Sequence, residues 1–143
     1  MKYNKFAIIV LLNVISVNLD AQISVNKRVV ISDLNLGHQR LEYLVNENKD
    51  TTFFCNISSN NEYHGRIIVV LGPKNQAIIT LQSMIDYNES DGNIISLNNP
   101  SENNAIFGRV LGVKMFTIFE KSSNKIYGYL HKKQIVKFLE ELK

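Results

Sequence analysis

Apolar and polar positions in this chain fall into short runs whose spacing changes from strand-like to helix-like and back twice. Arg28–Ile31, Arg40–Val45 and Thr52–Ile57 are β-prone runs, with a turn-like stretch at Asp33–Gly37 and a polar one at Asn46–Asp50. After a polar break at Ser58–Glu62, the run Arg66–Leu71 carries five consecutive apolar residues, Ile67 to Leu71. Dense β-branching without alternation predicts a central strand buried on both faces. Gly72–Pro73 stops it. Proline at a first helical position is a good helix start. Ala77, Ile78, Leu81, Met84 and Ile85 then form one stripe, which predicts an amphipathic helix over 73–87.

The second half repeats the alternation. Asp91–Gly92 reads as a turn, Ile94–Leu97 as a short strand, and Asn98–Asn104 as a loop around Pro100. Ile106–Val113 reads as a strand interrupted by Gly108 and Gly112, which suggest a bulge or tight bend. Met115–Glu120 and Lys125–Leu130 flank Ser122–Asn124 and predict a hairpin. Ile135, Val136, Leu139 and Leu142, with Phe138 beside them, predict a second amphipathic helix over 132–142. The expected class is α+β, with a mostly antiparallel sheet and two helices, about 73–87 and 132–142. A faint internal echo, Gly65-Arg66-Ile67-Ile68 against Gly108-Arg109-Val110-Leu111, raises the question of a duplication.

The first residues obey a different pattern. Lys2 and Lys5 precede an apolar run, Phe6–Val17, broken only by Asn13 and Ser16, and a polar stretch ends at Ala21. This order predicts a secretory signal peptide over 1–21, leaving 22–143 as a single α+β domain that is secreted or periplasmic. Leu19 is larger than the usual residue two before a cut. The alternative is an uncleaved anchor tethering the protein to a membrane, but the run is shorter than a bilayer span requires. After cleavage no membrane span is expected.

Composition narrows the chemistry. The formal net charge is +3. Removing Lys2, Lys5 and Asp20 leaves 14 basic and 12 acidic residues, or +2, too little to indicate a partner class. The distribution says more: from Lys114 onward seven lysines stand against three glutamates. A single cysteine, Cys55, excludes an internal disulfide, and its apolar neighbours predict a buried, inert thiol; an intermolecular disulfide is the alternative.

Recognisable catalytic and metal motifs are few. Gly72-Pro73-Lys74 opens a helix but lacks a phosphate-loop pattern. Asp86, Asn88 and Ser90 alternate like the first calcium ligands, but glycine arrives one residue late and Leu97 occupies the bidentate position. His38, His64 and His131 are scattered, without a zinc motif or a cysteine pair. No serine elbow is present. No cofactor, metal or catalytic residue is assigned.

What remains is a surface. Strand alternation over Lys125–His131 places Tyr127, Tyr129 and His131 on one face, and Lys132, Lys133 and Lys137 follow at once. Lysines in a first helical turn oppose the helix dipole, a penalty that an acidic partner would remove. These six residues are the candidate contact surface of a non-enzymatic binding or protein-interaction module. Another protein, or an anionic surface or ligand, is the expected partner; nucleic acid is not. Lys132→Glu with Lys133→Glu is expected to weaken partner capture without unfolding the domain. Two alternatives stand beside this: a small hydrolase or lyase assembled only in the fold, signalled by a pocket joining two histidines to a carboxylate, and an inhibitor or immunity-type protein capping a partner.

Overall fold

The computed structural model describes residues 26–61, 63, 65–89, 92–97 and 99–143. The expected signal segment 1–21 lies outside the described residues, as do His64, Ser90 and Asp91. Two antiparallel four-stranded meanders, each followed by a helix, make up the fold. The first comprises β1 (Lys27–Leu34), β2 (Gln39–Val45), β3 (Thr51–Ser58), β4 (Arg66–Gly72) and α1 (Lys74–Asp86). The second comprises β5 (Ile94–Ser96), β6 (Asn104–Val110), β7 (Val113–Glu120), β8 (Ser123–His131) and α2 (Lys132–Leu142). Both sheets follow sequence order, β1-β2-β3-β4 and β5-β6-β7-β8. Short connections allow this, since antiparallel neighbours need only a hairpin turn. The α+β class is therefore present as expected.

Both sheets and both helices contribute to one core. Leu41, Cys55, Ile57, Ile67, Val69 and Leu71 face it from the first sheet, and Phe107, Phe116, Ile118 and Leu130 from the second. Ala77, Leu81 and Met84 enter from α1; Ile135, Phe138, Leu139 and Leu142 enter from α2. Cys55 is 1% exposed, and burial pushes its thiol up to about 12, so it stays protonated and inert.

The two sheets meet where β3 runs on past its end. Ser59 forms an antiparallel bridge with Gly128. The Asn60 N–H donates to the Tyr127 carbonyl at 2.7 Å, and the Tyr127 N–H donates to Asn60 Oδ1 at 2.8 Å. Gly128 is required by this approach: a Cβ there would sit 2.8 Å from both Ile57 Cγ2 and the Ser58 carbonyl.

Three expectations need correction. β4 is not a central strand: it ends the first sheet, and its run alternates, with Ile67, Val69 and Leu71 buried but Ile68 44% exposed. Its edge is covered locally, because the Val70 N–H donates to Ser101 Oγ at 2.8 Å. A continuous apolar run thus reported an edge strand with one covered face. Residues 106–113 do not form one strand: the tight bend offered by the glycines falls at Leu111–Gly112, between the end of β6 and the start of β7, and no bulge interrupts the register at Gly108. Pro73 is the N-cap rather than the first helical residue, in an extended conformation (ψ 162°), and α1 begins at Lys74. The four-residue echo also falls out of register with the architectural repeat. Gly65–Ile68 opens the strand before α1, whereas Gly108–Leu111 closes the second strand of the second sheet.

Candidate functional site

β8 alternates as its sequence requires. Ile126, Gly128 and Leu130 are buried; Tyr127, Tyr129 and His131 are half-buried on the opposite face. The Tyr127 and Tyr129 rings meet edge-on at 5.5 Å, and Phe119 extends the row, 6.2 Å from Tyr127. Such aromatic packing fixes ring positions before anything binds.

Beside this row a chain of side-chain amides, buried at Gln39 and Gln134, crosses from the first sheet to α2. Asn35 Nδ2 in the β1–β2 turn donates to Gln39 Oε1 at 2.9 Å, and Gln134 Nε2 donates to the same oxygen at 3.0 Å. Gln39 Nε2 donates to the Tyr129 carbonyl at 3.3 Å. The His131 N–H donates to Gln134 Oε1 at 2.8 Å, closing the first turn of α2. Gln39 and Gln134 are 8% and 7% exposed, so each amide satisfies groups that would otherwise be costly to bury.

This chain separates two grooves. One, of about 360 Å³, is lined by His38, Ser58, Asn60 and Tyr129 among others. The second, of about 280 Å³, is lined by Leu34, Asn35, His131, Lys133, Gln134 and Lys137. Four of the six candidate residues therefore gather here: Tyr129 in the first groove, and His131, Lys133 and Lys137 in the second. Lys133 and Lys137 lie one helical turn apart, so their ammonium groups share a face. No carboxylate lines either groove among the described residues.

Tyr127 stands apart, with its ring held in the Phe119 row. Lys132 turns away from both grooves. Its Nζ donates to the carbonyls of Ile85 and Tyr87 and, at 2.9 Å, to Asn88 Oδ1, and it lies 4.8 Å over the Phe107 ring. Burial, with Lys114 nearby, holds its pKa below the usual lysine value, while Asp86 opposes that shift. The misplaced first-turn lysine is thereby explained. Lys132 opposes the dipole of its own helix but neutralises the carbonyl end of α1. Lys132→Glu is consequently a change to the fold, and Lys133 with Lys137 is the pair that probes the surface.

The remaining chemistry is modest. His38 Nδ1 lies 3.1 Å from Ser58 Oγ, a nucleophile–base spacing. Ser58 Oγ also lies 3.5 Å from an Arg66 nitrogen. His38 and His131 sit in different grooves, on opposite sides of the amide chain. No group of three metal-ligating side chains forms among the described residues. Asn88 of the calcium-like spacing is engaged by Lys132 and by the Asp86 carbonyl.

Sequence reasoning named His38 only as one of three scattered histidines, and missed Asn35, Gln39, Ser58 and Gln134. Two of them carried a signal: Gln39 is in phase with Leu41 and Tyr43, and Gln134 lies four residues before Phe138. A polar residue on an apolar stripe marks a buried hydrogen-bonding group. Set against protein-family models, curated proteins and solved structures, the chain matches none.

Proposed function

We propose that the protein is an exported, non-enzymatic binding module that receives an anionic group of its partner in the groove between the β1–β2 turn and α2. The observation that carries this reading is the convergence of His131, Lys133 and Lys137 on a groove with no carboxylate among its described lining residues. A partner carboxylate or phosphate there gains charge-assisted hydrogen bonds. Its wall is pre-positioned by the Asn35–Gln39–Gln134 amides, which lowers the ordering cost of binding. Tyr129 offers an aromatic edge in the adjacent groove for the neighbouring part of the partner.

Titration of ¹⁵N-labelled protein with a glutamate-rich peptide and with inorganic phosphate tests the reading. Backbone shifts are expected at His131, Lys133, Gln134 and Lys137. Lys133→Glu with Lys137→Glu is expected to abolish them while leaving the melting temperature within a few degrees, since both side chains are exposed. Shifts that persist in the double variant, or that never appear at these residues, overturn it.

A further inference from the structure

The β6–β7 hairpin ends in three local penalties. Val110 and Val113 close its register, and Leu111 and Gly112 form the turn with φ of 50° and 80°. Positive φ at both central residues is the type I′ pattern, which strongly favours Asn-Gly and strains a bulky side chain such as leucine. That leucine is also fully exposed, at 99%, with Val110 and Val113 at 38% and 43% beside it. One step down the hairpin, Arg109 and Lys114 are direct cross-strand partners. Like charges in that position repel. Both are exposed, and no acidic residue occurs between Glu102 and Glu120 to balance them.

An anionic bilayer surface relieves two of these penalties and uses the third. Apolar side chains at the tip leave water, the paired cations meet lipid phosphates, and the strained turn holds the leucine outermost. The apolar tip is only four residues long, Val110 to Val113, far below the contact area of a stable protein–protein interface. We propose that the β6–β7 tip is a peripheral membrane anchor. Leu111, with Val110 and Val113, enters the headgroup–acyl boundary, and Arg109 and Lys114 bind the phosphates of anionic lipid. The anchor is independent of the groove at His131, Lys133 and Lys137.

Leu111→Asn provides a discriminating test, because it removes the anchor while installing the preferred Asn-Gly turn. Co-sedimentation of the naturally processed protein with phosphatidylglycerol–phosphatidylcholine vesicles, and with phosphatidylcholine alone, reads the binding. Wild type and variants share one N-terminus, so their differences report the tip. Wild type is expected to bind the anionic vesicles and to lose affinity as salt rises. Leu111→Asn is expected to lower the partition coefficient about tenfold, in line with the burial of one leucine, with an unchanged or raised melting temperature. Arg109→Gln with Lys114→Gln is expected to remove the preference for anionic vesicles. Equal binding by wild type and Leu111→Asn overturns the proposal. So does a protein partner captured through Leu111 without any vesicle binding, which assigns the tip to protein docking.

Discussion

The two halves of the molecule share an order of elements and almost no chemistry. Away from the core, the first sheet carries a polar row that crosses all four strands and is buried at its centre. Arg28 on β1 pairs with Glu42 on β2, Asn56 on β3 donates to the same carboxylate at 3.1 Å, and Arg66 on β4 donates to the Asn56 side-chain oxygen. Glu42 is 0% and Asn56 2% exposed. In the second sheet the corresponding face bears the aromatic row Phe119, Tyr127 and Tyr129. One half joins its strands by charge-assisted hydrogen bonds, the other by ring packing. A repeated topology therefore does not require a repeated sequence: each meander needs only an alternating pattern, and what fills its outer positions is free to differ.

The largest expected effect breaks the charged row. Glu42→Ala removes the acceptor shared by Arg28 and Asn56, and is expected to cost about 3 kcal/mol by chemical denaturation. The cost is held to that size because Arg28 is half-exposed and water takes back its charge. Tyr127→Ala in the other row is expected to cost less than half as much; a larger loss there would invert the contrast. Next, Gly128→Ala is expected to cost about 2 kcal/mol, because its methyl group meets β3 backbone and Ile57. Gly108→Ala, in the same sheet but in open space, is expected to change stability by less than about 0.5 kcal/mol. Equal melting temperatures for these two would refute the close approach of the halves. The smallest expected loss concerns the tie between the helices, Gly108→Ala being a control. Lys132→Met keeps the packed stem but removes the ammonium, and is expected to cost about 1 kcal/mol, with faster hydrogen exchange confined to the last turn of α1.

Legibility in the sequence followed the range of the interactions. Both helices were legible, because Ala77–Ile85 and Ile135–Leu142 repeat at helical spacing, although in the second Phe138 takes the buried place expected of Val136, which is exposed. Most strands were legible for the same local reason. β4 was misread because alternate burial leaves no trace when all five positions are apolar. The bend was legible from Gly112, but not that Leu111 shares its positive φ, because turn chemistry predicts asparagine where this chain has leucine. At the candidate site, the alternation that presents Tyr129 and His131 was readable from β8 alone. The partnership of Gln39 with Gln134 spans 95 positions, and nothing local announces it. Lys132 was read as surface because a side chain long enough to reach another helix looks, in sequence, like one that points to water.

The treatment of the sheet edges has a consequence for self-association. An open strand edge invites a second copy of a chain to extend the sheet, the first step toward fibrils. Here each of the four outer strands is made a poor template by a different device. β1 is bulged at Ile31, β4 gives its Val70 N–H to Ser101, β5 is only three residues long, and β8 is engaged by Ser59 and Asn60. The Ser101 hydroxyl is the most economical of these, a single group that denies a neighbour its hydrogen bond in the middle of the most apolar strand in the molecule. In a chain without a disulfide to limit unfolding, that small blockade stands between an apolar strand and its copies at high local concentration.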